Sequence, residues 1–146
     1  MSQFITTQQA KDFLGKIYLS AYDDAGAPND SWLDSDINGV EATILGYIRE
    51  TYDDAAQIDS DNTPQSWALL NAIAQQLLLL KAHMRFDYSE VPEAISKAGD
   101  NAVFRLQDIG KGKLKLPDIV QSPKNNGPSF IYGSRVSFSR LACRGF

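Results

Sequence analysis

A helix that is apolar nearly all round has one stable place in a small domain, the middle, and residues 64–86 carry such a pattern. Trp67, Leu70, Ile73, Leu77, Leu80 and Met84 recur at helical spacing and make one continuous face. Leu78 and Leu79 add apolar side chains on the other sides, so neighbours must cover this segment from several directions. Thr63 before Pro64 reads as an N-cap with proline at the first helical position, where its missing N–H costs nothing. At about 1.5 Å per residue the helix is roughly 34 Å long. The rest of the chain has to supply the layers around it.

Three further segments have the pattern to do so. Thr6 with Gln9 fits a capping box after Phe4 and Ile5, and Ala10, Leu14, Ile17 and Ala21, joined by Phe13 and Tyr18, form the apolar face of a first helix. Residues 22–30, rich in Gly, Pro, Asp and Asn, read as a loop. A second helix is expected from about Asp30, as N-cap, to about Tyr52, with Leu33, Ile37, Val40, Ile44 and Ile48 as its stripe. Gly39 and Gly46 weaken it by about 1 kcal/mol each relative to Ala, unless they mark a neighbour's close approach. After the acidic link 53–62 and the long helix, Val91, Ile95, Ala98, Ala102, Leu106 and Ile109 predict a fourth helix stopped by Gly110 and Gly112. The expected fold is mainly α: a four-helix bundle body over residues 1–112 and an extended C-terminal arm over 113–146, with room for one or two short strands in the arm. At 146 residues and 43% hydrophobic, the chain can bury one such core.

The arm has no helical period. Residues 114–117 alternate and 121–128 are rich in breakers, yet Phe130, Ile131, Tyr132, Val136, Phe138, Leu141 and Phe146 come within a short space. Such side chains gain about 1.5–3 kcal/mol each on full burial and nothing otherwise, so the arm is expected to order on a partner. Charge divides the chain in the same way. Residues 111–146 hold seven basic side chains against Asp118 alone, a net +6, which leaves −10 for the first 110 residues of a chain whose total is −4. An acidic body is poorly suited to clasp nucleic acid, which needs clustered Lys and Arg. The basic arm suits an acidic surface, the body of a neighbouring copy included.

No catalytic residue, metal or cofactor is expected. Asp34, Asp36, Asn38 and Gly39 resemble half of a calcium loop, but the twelfth position, which should be a bidentate Glu, is Leu45. His83 is the sole histidine, so no His pair exists for zinc. Cys143, the sole cysteine, has no preorganised base and no disulfide partner within the chain, which suggests a thiol-reducing compartment. The carboxylate pairs Asp23 with Asp24 and Asp53 with Asp54 fall in loop segments, and Gly110 to Gly112 lacks the preceding strand of a phosphate loop. Trp32 and Trp67 read as core. No apolar run reaches 18 residues, so no membrane span is expected, and the opening residues lack the basic and apolar regions of a secretory signal.

Taken in order, the second helix ending ILGYIRETY (44–52), the long apolar third helix, LQDIGKGKLKLP (106–117) and the closing FSRLACRGF (138–146) resemble the Mu-like phage head-to-tail adaptor, or connector, family. Members similarly end their fourth helix in a glycine-lysine turn and close with Phe-Ser-Arg, four variable residues, then Gly and an aromatic; Phe138, Ser139, Arg140, Gly145 and Phe146 match that spacing. The acidic link 53–62 departs from the family, where it is apolar and proline-rich.

The resemblance implies a structural virion protein at the head-tail junction, assembled in the host cytoplasm. It implies neighbouring copies in a ring, twelvefold in the family, under the portal protein, a downstream tail or neck protein, and DNA passing through the channel without specific binding. It also implies that the arm holds the portal or an adjacent subunit, with Arg135, Phe138, Ser139, Arg140, Arg144, Gly145 and Phe146 as partner-binding residues. An alternative from the residues is a small helical regulatory or binding module whose basic arm binds nucleic acid or an acidic protein. A third is an enzyme subunit without chemistry of its own.

Overall fold

The computed structural model describes residues 3–119 apart from 54 and 87–90. Four helices carry the fold: α1 (Thr7–Leu19), α2 (Asp30–Ile48), α3 (Pro64–Phe86) and α4 (Glu93–Gly110). The chain is mainly helical, as its four apolar stripes require. α3 packs against all three other helices, while α1 and α4 each pack on both α2 and α3. The central pair is therefore α2 and α3, and α1 and α4 are its flanks. Leu70, Ile73, Ala74 and Leu78 of α3 are fully buried against Leu33, Ile37, Ile44 and Ile48 of α2 and Ala102, Leu106 and Ile109 of α4.

Local signals place most helix ends. Gln9 accepts from the Thr6 N–H at 3.0 Å while the Gln9 N–H donates to the Thr6 hydroxyl at 3.2 Å, which closes the capping box that starts α1. At the end of α4, Gly112 has φ 76, and the N–H groups of Gly112 and Lys113 return to the carbonyls of Ile109 and Asp108. That pair of bonds is a glycine-terminated helix cap, and it accounts for the stop at this point. α2 ends at Ile48, short of the expected Tyr52, and its N-cap position is Asn29 rather than Asp30. Tyr52 instead turns into the core, fully buried.

Two departures from the sequence pattern arise from glycine. Gly15 lies inside α1 with φ 68 and ψ 176, so the helix breaks there and continues into a short 3₁₀ turn at Ser20–Tyr22. The expected stripe through Ala21 is thus interrupted, and the side chains of Ile17 and Tyr18 lie outside the described residues. Within the expected loop 22–30, β1 (Asp23–Asp24) and β2 (Ala27–Pro28) form a minimal antiparallel hairpin. Its two central residues, Ala25 and Gly26, both have positive φ, as tight hairpin turns demand.

The third departure concerns where the body ends. Leu116 is buried and donates its N–H to the Tyr52 hydroxyl at 2.9 Å, and Leu114 and Ile119 pack against the same core. One Asp118 oxygen accepts from the N–H groups of Gln65 at 2.7 Å and Ser66 at 3.1 Å, so it caps α3. Thr63 precedes Pro64 as expected, but its hydroxyl is spent on Asp59, donating to the Asp59 carbonyl and accepting from the Asp59 N–H. Residues 113–119 therefore belong with the helical body, past the boundary at Gly112.

Candidate functional site

Polar side chains in this body come together mainly where they hold backbone. Glu41 sits on the apolar side of α2 between Ile37 and Ile44 and is buried. Its carboxylate accepts from the N–H groups of Gln3 and Phe4. The Trp67 indole N–H donates to the Gln3 carbonyl at 3.0 Å, and the Asn71 amide to the Phe4 carbonyl at 2.6 Å. The Gln3 side-chain amide in turn donates to the carbonyls of Ala55 and Ile58. Sequence reasoning passed over Glu41, although a carboxylate at a stripe position was a legible signal for a buried, partnered acid.

A second cluster faces solvent. Arg85, at the end of α3, forks onto Asp36 of α2 with nitrogen–oxygen distances of 3.2 and 3.3 Å, and its guanidinium lies 5.2 Å from the Tyr22 ring centre and 5.6 Å from that of Trp32. The Tyr22 hydroxyl donates to Asp36 at 2.8 Å. Burial, with the neighbouring Asp36 carboxylate, pushes the Tyr22 phenol well above its ordinary range, and the bond to Asp36 holds the Arg85 guanidinium protonated more firmly than usual. Trp32 is thus an exposed cover over Arg85 at 37% exposure, not the core residue expected, whereas Trp67 is half-buried against the core. An open groove beside this cluster is lined by Asp36, Lys81, Met84 and Arg85.

Two expected stripe residues also turn outward: Met84 is 58% and Phe13 40% exposed. On the opposite flank helix, Phe104 is 63% exposed beside a groove lined by Asp100, Val103 and Gln107. Each flank of the bundle therefore presents an uncovered aromatic ring, Phe13 on α1 and Phe104 on α4. Asp100 and Asp108 lie one turn either side of Phe104.

The half calcium loop, Asp34, Asp36, Asn38 and Gly39, lies within the regular helix α2; Asp36 is engaged by Arg85 and Tyr22, and Asp34 accepts from the Thr7 hydroxyl. Among the described residues no group of three His, Cys, Asp or Glu could hold a metal ion. His83 is buried on α3. A cleft of about 510 Å³ at the start of α3 is lined by Gln57, Ile58, Asp59, Asn62, Thr63, Asp118 and Ile119. There Asn62, by its backbone and side-chain N–H groups, and then Asp61 hold Asp59 below the usual carboxylate range. Among the described residues no helix is long and apolar enough to cross a membrane. Arg135, Phe138, Ser139, Arg140, Cys143, Arg144, Gly145 and Phe146 lie outside the described residues. Comparison with family models, with curated protein sequences and with solved structures finds no match to this chain.

Proposed function

We propose that this chain is a structural head-to-tail adaptor that assembles with neighbouring copies into a ring under a portal, extends the DNA channel and joins head to tail. The observation that supports it best is the uncovered aromatic on each flank, Phe13 on α1 and Phe104 on α4. Two different faces on one subunit are what a head-to-tail contact uses, and such contacts close into rings when the rotation per subunit permits. The acidic lysine-poor body agrees with a channel wall that lets phosphates slide past. The basic arm, with Phe138, Arg140 and Phe146 as anchors, is the element assigned to the portal or to the adjacent subunit.

The faces can be tested separately. Phe104→Lys and Phe13→Lys change solvent-facing positions, so each variant should melt within a few degrees of the parent chain. Each alone should fail to form the large oligomer. Mixed in equal amounts they should give dimers and nothing larger, because each variant keeps the one face the other lacks. Mass photometry reads the outcome. Variants that assemble like the parent chain would remove the flanks from the interface.

A further inference from the structure

The buried clamp around Gln3 and Phe4 has the construction of a ligand site. We propose that it is a peptide-binding slot, which this chain fills with its own residues Gln3, Phe4 and Ile5. Both N–H groups and both carbonyls of Gln3 and Phe4 are taken by side chains of α2 and α3: Glu41 accepts from the two N–H groups, and Trp67 and Asn71 donate to the two carbonyls. All four bonds come from side chains and none from a helix or sheet ladder, the kind of contact that a separate peptide in the slot could also make. The slot also reads side chains. Phe4 and Ile5 are fully buried, and the Gln3 amide finds two loop carbonyls, from Ala55 at 2.8 Å and Ile58 at 3.0 Å. Its ligand is a short peptide with a glutamine, then an aromatic, then a branched aliphatic residue.

The segment is separable from the helix after it. α1 closes its own first turn through the Thr6 and Gln9 capping box, so none of the hydrogen bonds of that box comes from residues 3–5. A tethered ligand sees its slot at an effective concentration in the millimolar range or above, on the order of what short linkers give, so the parent chain should ignore added peptide below that range. Weakening the tethered copy should open the slot to competition.

The test uses the full chain carrying Gln3→Ala and Phe4→Ala, titrated with the synthetic peptide MSQFIT, and follows the Trp67 indole N–H by nuclear magnetic resonance together with the melting temperature. A saturable shift of the Trp67 signal is expected, with a melting temperature that rises towards the parent value. A peptide with alanine in place of phenylalanine should bind at least tenfold more weakly. If the double variant is unfolded alone, saturating peptide should restore its helical signal. A variant that shows no saturable response up to millimolar peptide, or that is unfolded with and without peptide, would overturn the proposal. In either case residues 3–5 would be an inseparable part of the core.

Discussion

Ending the chain at Ile119 should leave a body that melts cooperatively, whereas ending it at Gly112 should cost about 3–5 kcal/mol and lower the melting temperature by roughly 10–20 °C. The shorter chain loses Leu116, whose burial contributes about 2–3 kcal/mol. It also loses Asp118, which satisfies two N–H groups in the first turn of α3; removing a cap of this kind costs about 0.5–2 kcal/mol. The Tyr52 hydroxyl, buried with its ring, loses the Leu116 N–H as well. Against a typical domain stability of about 5–15 kcal/mol, that sum is a large share. Leu116→Ala and Asp118→Ala in the full chain divide the effect; the two residues dock one short segment, so their losses should couple and the double variant should depart from the sum of the singles. If the chain ending at Gly112 melts like the one ending at Ile119, residues 113–119 are passengers.

Glu41→Ala should be the most damaging single change at a polar position. It leaves the N–H groups of Gln3 and Phe4 without their acceptor, the latter buried, at about 1–3 kcal/mol each, so a loss of about 2–5 kcal/mol is expected from urea denaturation. Glu41→Gln keeps an oxygen at the same place and gives up only the charge assistance, so it should recover more than half of that loss. The order of the two variants matters more than the size. Were Ala and Gln equally harmful, the carboxylate would matter through its charge alone; were Ala within about 0.5 kcal/mol of the parent chain, the clamp would hold nothing.

Features set by neighbours in sequence were legible. Pro64 and the continuous apolar stripe give α3 its bounds, Thr6 and Gln9 give the start of α1, and Gly112 gives the end of α4, because caps and periodicity act within one or two turns. Features that depend on distant residues were not. Asp118 caps α3 across 53 positions in sequence, and nothing in its own neighbourhood distinguishes it from a stray acid in a basic tail. The clamp joins residues 3 and 4 to residues 41, 67 and 71, again beyond any local pattern. Periodicity also overreached. It assigned Phe13 and Met84 to buried faces because it counts apolar residues without knowing how wide a face the neighbours cover. Gly15 was a visible warning within the first stripe, since a positive φ there ends the register that the stripe assumes. Gly46, in contrast, has open space around it, so nothing among the described residues explains a glycine at that position of α2.

The proposed ring assembly calls on the flanks and the arm together, and electron microscopy of the full chain mixed with a portal protein tests the proposal most directly. Closed rings of one fixed copy number, coaxial with the portal and with the α1 flank of each subunit against the α4 flank of the next, are the predicted result. A chain that stays monomeric at tenfold excess over portal, or that pairs face to face through a single flank, would contradict it.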